Sequence, residues 1–458
     1  MAFQESTSPS RPLARLGGRT LMPEETLPSS SRPGSTAALP CGIAVIGNHL
    51  PRQCGIATFT TDLCDAISEK YERAQILVVA VNDPESHYEY PSRVRFELAE
   101  GDSSSYDDAA DFLNSSNIAM VSLQHEYGIY GGPAGSLILR LMRRLKMPVV
   151  TTLHTALRAP SANQRTVMEE VAALSDRLVV MSKHSLKIMQ EVFHVPEEKI
   201  DLIPHGVPDL PFRDTELYKD LTGTKGKVVL LTLGLLSPNK GIERVIEALP
   251  RIVADHSEVV YIIVGATHPH IRQREGDKYR IQLQSLAKTL GVERNVIFHN
   301  RFVSPEEMAR FVRSADIYIT PYPYEAQAVS GTLAYALGAG KAIISTPYWY
   351  AAELLTGGRG VLVPFEDSDA IATAAIKLLD NEVARKAMSR RAYLYAREMV
   401  WNKAAESYMS TFVRARSDRI ASTAYSVLES EYLKSTEQIV TRRASPVPGD
   451  KPTRVSAA

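Results

Sequence analysis

Short apolar runs rich in Val and Ile alternate with helix-length segments along most of this chain, and the alternation occurs twice. "GIAVIG" (42–47), "ILVVAV" (76–81), "IAMVSL" (118–123), "PVVTTLH" (148–154) and "RLVVMS" (177–182) make the first series. After "IPHGVPDLPFRD" the rhythm restarts with "KVVLLTLG" (227–234), "VVYIIVGA" (259–266), "NVIFHN" (295–300), "DIYITPY" (316–322), "KAIIST" (341–346) and "GVLVPF" (360–365). Runs this short, and apolar on both faces, suit strands buried between helices, as in a parallel sheet. Each half therefore reads as a doubly wound α/β domain, with the boundary near 207–226. Length agrees, since 458 residues exceed one core at about 100–200 residues per domain.

Composition narrows the function classes. Lys+Arg and Asp+Glu balance at 52 each, so no global field draws the chain to nucleic acid or anionic lipid, and an anion must be caught locally. Three cysteines (Cys41, Cys54, Cys64) make neither a disulfide framework nor a CxxC metal pair, and read as the reduced thiols of a cytoplasmic protein. No run approaches the ~18 apolar residues of a membrane span. Residues 1–40 are rich in Ser and Pro without an apolar signal core, and read as a disordered extension. The closing "TRRASPVPGDKPTRVSAA" has the same character. Helical patterns over about 382–398 and 402–418 follow the second domain, and the latter has apolar spacing that requires something to pack against.

In doubly wound sheets, ligands bind outside the carboxyl ends of the strands, where strand order reverses. Two facing domains would frame one cleft. The first strand leads into "NHLPRQCGIATFTTDLCDAI", with Gly55 just ahead of a helix expected from about Thr58. Glycine there admits close backbone approach, and a helix start favours negative charge; an ordinary tight turn has the same appearance. It is not a GxGxxG fingerprint, so no dinucleotide is indicated. "LQHEYGIYGGPAG" places His125 and Glu126 at another strand end, and "TTLHTALRAP" places His154 and Thr155 at a third. Imidazoles there suit a ligand contact, although a lone His is more often structural, and the spacing does not fit zinc. His184 and His205 read as turn residues.

In the second half, Gly234 closes a strand and Lys240-Gly241 opens the next helix in "LGLLSPNKGIERVIEAL". A point charge beside helix amides suits phosphate, although this is not a P-loop. In "PYEAQAVSGTLAYAL", Ser330, Gly331 and Thr332 put small side chains at a helix start, leaving amides to meet phosphate oxygens or, more plainly, forming a Ser N-cap.

Over about residues 41 to 418 the whole resembles the retaining glycosyltransferases of family 4, which have the GT-B architecture of two facing Rossmann-like domains. "GLLSPNKG" is similar to that family's diphosphate-binding "GRLxxxKG" and keeps Lys240; His154-Thr155 matches its strand-end "HT"; "IPHGV" (203–207) is close to "IPNGV"; "YALGAGKAII" loosely follows "EAMAxGxPVI"; and Trp401 to Tyr408 looks like its terminal helix. The resemblance implies a layout of 41–210 for the acceptor domain, 211–398 for the nucleotide-sugar domain, 399–420 for a helix returning to the first, and 421–458 for a helical or disordered tail. It implies His154, Lys240 and Gln327 as catalytic, with Gly234, Ser330, Gly331, Thr332 and Tyr335 holding the donor and Gly55, His125 and Glu126 shaping the acceptor side. Leu235 replaces the family's arginine, and Gln327 and Tyr335 fall where paired glutamates stand, so Arg301 and Glu325 are candidates to compensate.

By that resemblance the reaction is transfer of a hexosyl group, mannosyl favoured, from a nucleotide-diphosphate sugar (GDP-mannose favoured) to a carbohydrate or other hydroxyl acceptor, with retention. No acidic pair of DxD type sits at a strand end, so no metal or other cofactor is expected. Neither is the carboxylate pair of common glycosidases present. A sugar-nucleotide epimerase would need an acid/base set that is not assembled, and a phosphorylase a far longer chain. A non-catalytic sugar or nucleotide binding protein is the competing reading, on account of Leu235, Gln327 and Tyr335.

Overall fold

The computed structural model describes residues 42–83 and 87–443; the expected N-terminal extension (1–40) and the end of the tail (444–458) lie outside them. Among the described residues, two sheets form, each wholly parallel. The first comprises β1 (Gly42–Gly47), β2 (Gln75–Asn82), β3 (Val94–Ala99), β4 (Met120–His125), β5 (Val149–Leu153), β6 (Arg177–Val180) and β7 (Ile200–Leu202), in the order β3-β2-β1-β4-β5-β6-β7. The second comprises β8 (Val228–Leu233), β9 (Val259–Val264), β10 (Val296–His299), β11 (Ile317–Thr320), β12 (Ala342–Ser345) and β13 (Val361–Leu362), in the order β10-β9-β8-β11-β12-β13. Strand order reverses between β1 and β4 and between β8 and β11, which creates one crevice at the carboxyl edge of each sheet.

The apolar runs announce eleven of these strands. The two that they do not announce, β3 and β7, lie at the edges of the first sheet. β3 alternates exposed and half-buried residues along most of its length and β7 is three residues long, so neither carries a continuous apolar signal. Each sheet is covered on both faces. Helix Gly55–Lys70 buries Phe59, Leu63 and Ile67 against Ile43, Val45, Val78 and Ala80. In the second lobe, helix Ile242–Asp255 buries Val245, Ile246, Leu249 and Ile252 against Leu230, Tyr261 and Ile319.

The last helix, Trp401–Arg443, continues from the returning segment into the tail expected to be helical or disordered. Its first turns bury Trp401, Ala404, Ala405, Tyr408, Met409, Phe412 and Ala415 in the first lobe's core, at the three- and four-residue spacing of one helix face. Tyr408 Oη lies 3.0 Å from Thr152 Oγ1 on β5. The return is fixed where the chain passes between lobes: Val207 donates to Met399 O at 2.8 Å and Trp401 donates to Val207 O at 2.9 Å. No helix among the described residues is long and apolar enough to cross a membrane.

The indole of Trp401 lies flat against Gly206, where an added Cβ would fall 2.1 Å from a ring carbon. Overpacking of this kind costs about 1–3 kcal/mol. Gly206→Ala is therefore expected to lower the melting temperature measurably in thermal unfolding, and an unchanged melting temperature would show that the Trp401 contact is loose.

Candidate active site

A cleft of about 380 Å³ opens between the carboxyl edges of the two sheets. Gly55, Thr58 and Phe59 line it from the first lobe; Gly234, Leu235, Lys240, Tyr322, Gln327, Ser330, Gly331, Thr332 and Tyr335 line it from the second, with His205 between. The first-lobe contribution comes from a helix that begins at Gly55, three residues ahead of the expected Thr58, because Cys54 serves as its N-cap: the Cys54 sulfur accepts from the Ala57 amide at 3.3 Å. A Cβ built on Gly55 would meet no atom within 4 Å, so no neighbour demands glycine there and the space beside it belongs to the cleft.

Lys240 is placed by two glycines. Gly241 adopts φ +61°, and a Cβ there would fall 2.1 Å from the carbonyl oxygen of Pro321, so only glycine lets the chain fold back after the lysine. Gly234 adopts φ +135°, a conformation that favours glycine, and the end of the Lys240 side chain passes at ordinary contact distance, 3.6 Å from where its Cβ would be. The half-buried Lys240 amine then donates to Tyr322 Oη at 2.7 Å and sits 4.4 Å from that ring's centroid. Tyr322 Oη in turn lies 3.3 Å from Ser330 Oγ, which caps helix Gly331–Gly338 by accepting from the Leu333 amide. Burial works to raise the Tyr322 phenol, but the Lys240 charge brings it below its ordinary value. Lys240 and the Ser330 turn thus share one hollow, joined through a tyrosine that the sequence reading did not single out. No ion pair among the described residues uses Lys240, and no Asp or Glu lines the cleft. The site carries an uncompensated positive charge beside a helix start whose first amides have no partner within the helix.

The histidines divide differently from expectation. His205, read as a turn residue, lines the cleft; Nδ1 donates to Gly206 O at 2.7 Å, and burial lowers it to about 4, so Nε2 is unprotonated and faces Gly331. His154 lies behind the lining, half-buried, with Nε2 bonded to Gln124 Oε1 at 3.0 Å and its ring edge-on to Phe59 at 4.8 Å. Burial first, then the neighbouring His205 and His125, lower it to about 3. His125 is wholly enclosed, neither ring nitrogen finds a hydrogen-bond partner among the described residues, and burial lowers it to about 4. Glu126 accepts from the Tyr127 amide at 3.0 Å and from the Thr155 hydroxyl, which ties two loops together; burial raises its carboxyl. In this arrangement His125 and Glu126 do not line the cleft.

The proposed substitutes for lost donor contacts also lie elsewhere. Arg301 forms a two-pronged pair with Glu307 (2.7 and 2.6 Å) on the exposed face of helix Pro305–Ser314 and does not reach the cleft. Its partner is fixed by the capping box of Ser304 and Glu307, which holds that carboxylate at the loop. Glu325 is exposed and outside the lining; its carbonyl accepts from the Trp349 and Gln327 amides. Gln327 does line the cleft, but its amide nitrogen donates back to Val329 O at 2.7 Å. Tyr335 lines it too, with its hydroxyl given to Asp62 of the opposite lobe.

Comparison with known proteins follows the same division into lobes. The family described as Glycosyltransferase Family 4 matches residues 54–209, and that described as Glycosyl transferases group 1 matches residues 214–395. An uncharacterized glycosyltransferase of Methanocaldococcus jannaschii is 28% identical over 255 residues, 55% of this chain and 61% of that protein. The phosphatidyl-myo-inositol mannosyltransferase of Mycolicibacterium smegmatis is 28% identical over 214 residues, 46% of this chain and 50% of that protein. The chain thus spans between half and two thirds of the length of these relatives. Among solved structures, Anabaena HepE in complex with UDP and glucose superposes with TM-score 0.64 at 14% identity, covering 81% of this chain and 98% of that one. Sucrose-phosphate synthase from Thermosynechococcus elongatus gives 0.65 at 16%, with the same two coverages. Both show the GT-B fold.

Burial of neutral histidines ties stability to pH. His125 and His205 have folded values near 4 against an ordinary 6.5, so below pH 6.5 the unfolded chain takes up protons that the folded chain refuses. Stability present above pH 6.5 is lost as pH falls toward 4, by up to about 1.4 kcal/mol per pH unit for each group. The melting temperature should fall between pH 7 and pH 5, and His125→Phe should narrow that drop; an equal drop in the variant would mean that His125 is solvated.

Proposed function

Because the chain belongs to the family 4 type of GT-B glycosyltransferases, we propose that it transfers a hexosyl group, mannosyl by preference, from a nucleoside-diphosphate sugar to a hydroxyl acceptor with retention of configuration. The observation that carries this is the Lys240 ammonium, without a carboxylate partner, set over Tyr322 beside the start of helix Gly331–Gly338. As the bond from the sugar to the diphosphate breaks, negative charge grows on the departing phosphate oxygens. A preorganised ammonium and helix-start amides stabilise that charge more than they stabilise the ground state, which is the requirement for catalysis. Among the described residues no carboxylate lines the cleft, so the carboxylate nucleophile of the common double-displacement route is not present there. Retention then follows if the acceptor hydroxyl approaches on the face that the diphosphate leaves and gives its proton to the departing phosphate oxygen. Lys240 supplies the charge-neutralising role that a metal fills elsewhere, so turnover without added metal is part of the proposal. GDP-mannose as donor is supported by the names of relatives, including a GDP-mannose-dependent enzyme of Corynebacterium glutamicum, 25% identical over 235 residues.

One observation favours the second reading, a nucleotide-sugar binding protein without turnover. Leu235, the inward-bonded Gln327 and the Asp62-bound Tyr335 offer the donor fewer polar contacts than the family pattern implies. A screen of GDP- and UDP-sugars by release of free nucleoside diphosphate separates the two. Release from GDP-mannose in the presence of EDTA supports the transferase; binding by calorimetry without release from any donor supports the binding protein.

Lys240→Ala should lower kcat by about 10²–10³, the usual cost of losing one oxyanion donor. Activity within a factor of two of the parent would remove Lys240 from the mechanism.

A further inference from the structure

Two helices start at the cleft from opposite lobes. Gly55, Thr58 and Phe59 present the first turns of helix Gly55–Lys70, and Gly331, Thr332 and Tyr335 present the first turns of helix Gly331–Gly338. Just behind the lining the helices are joined. Tyr335, one turn beyond Gly331, donates its hydroxyl to Oδ2 of Asp62, two turns beyond Gly55 on the face that carries Thr58 and Phe59. His205 fills the space between them, 5.1 Å from the Phe59 ring and 5.9 Å from the Tyr335 ring, and leaves Gly331 no room for a side chain.

The contact joins the lobes through a carboxyl that has no cation beside it. Asp62 forms no ion pair among the described residues, and burial raises its carboxyl to about 6; the Tyr335 hydrogen bond and the Trp401 indole oppose the rise, while Asp65 and Glu306 add to it. Tyr335 is only 7% exposed. Enclosing a carboxyl without a cation is a cost that two apolar residues of similar size would avoid. What the pair does supply is geometry: it links, across the lobe boundary, two of the helix starts that line the cleft.

We propose that Asp62 is a positioning residue of the donor site, holding Tyr335 across the lobe boundary so that the two helix starts stand at the separation a diphosphate needs. This rests on the transferase reading. In the open arrangement the hydrogen bond is broken and the second helix start no longer faces the first. In the closed arrangement the bond forms and the anion meets both.

Calorimetric titration of the full chain with GDP and with UDP tests this, beside melting temperatures for each variant. Asp62→Leu and Tyr335→Phe each remove the bond and should weaken nucleoside-diphosphate binding about tenfold, with melting temperature unchanged or raised. The double variant should be no weaker than either single, because both remove the same contact. Asp62→Asn keeps an acceptor for the tyrosine and should bind within about twofold of the parent. Tyr335→Phe removes a single oxygen, so it reports even if Asp62→Leu fails to fold. Binding within twofold of the parent in Tyr335→Phe, effects that multiply in the double variant, or an Asp62→Asn as weak as Asp62→Leu would each overturn the inference alone. A parent chain that binds neither nucleotide overturns the transferase reading, and this proposal with it.

Discussion

A half-buried ammonium group in a cleft that no carboxylate lines is open to an anion that enters it. Lys240 is in that position, 2.7 Å from a phenol and close to a helix start that adds partial positive charge. The surrounding structure serves to keep it there. Gly241 turns the chain under Pro321, Gly234 takes the positive φ that ends the strand beside the lysine, and Tyr322, stacked on Tyr348 at 4.8 Å, supplies a rigid support. Lys219, the buried last residue of helix Glu216–Lys219, shows the contrast: its amine is held by the carboxylates of Glu216 and Asp316.

The second constraint is the way in which the lobes meet. Each sheet presents its carboxyl edge to the cleft, and the chain crosses between lobes at Val207 and again at Trp401. The returning helix buries a full apolar face in the first lobe, so the second lobe is moored at two adjacent strands of chain and is otherwise connected through side chains. The Glu353 carboxylate, which accepts from the Lys183 amide at 3.1 Å, is one of these. Such an arrangement suits a hinge beneath a binding cleft.

Most of the second lobe was legible in the sequence because β8, β9, β11 and β12 are largely buried and read as unbroken apolar runs, and the half-buried edge strands β10 and β13 keep apolar residues. β3 and β7 were not, since Val94–Ala99 alternates charged and apolar residues and Ile200–Leu202 is three residues with an aspartate at its centre. At the site, Gly234, Lys240 and Ser330 could be found because each is defined by its own neighbours: a strand end, a turn glycine, a helix cap. The Tyr335 contact could not, because Asp62 lies 273 residues away and only the folded lobes bring them together. Arg301 could have been set aside in advance: "SPEE" after it spells a capping box whose glutamate is a ready partner. His205 was misplaced because a histidine beside a glycine in a linker looks like a turn until the cleft forms around it.

The most direct measurement is a crystal structure of the chain with a bound nucleoside diphosphate. The terminal phosphate should lie within hydrogen-bonding distance of Lys240 Nζ and of the Gly331 or Thr332 amide, with the nucleoside running toward Phe302 and Val303. A diphosphate seated elsewhere, with the Lys240 amine still resting on Tyr322 and touching no phosphate oxygen, would contradict the assignment.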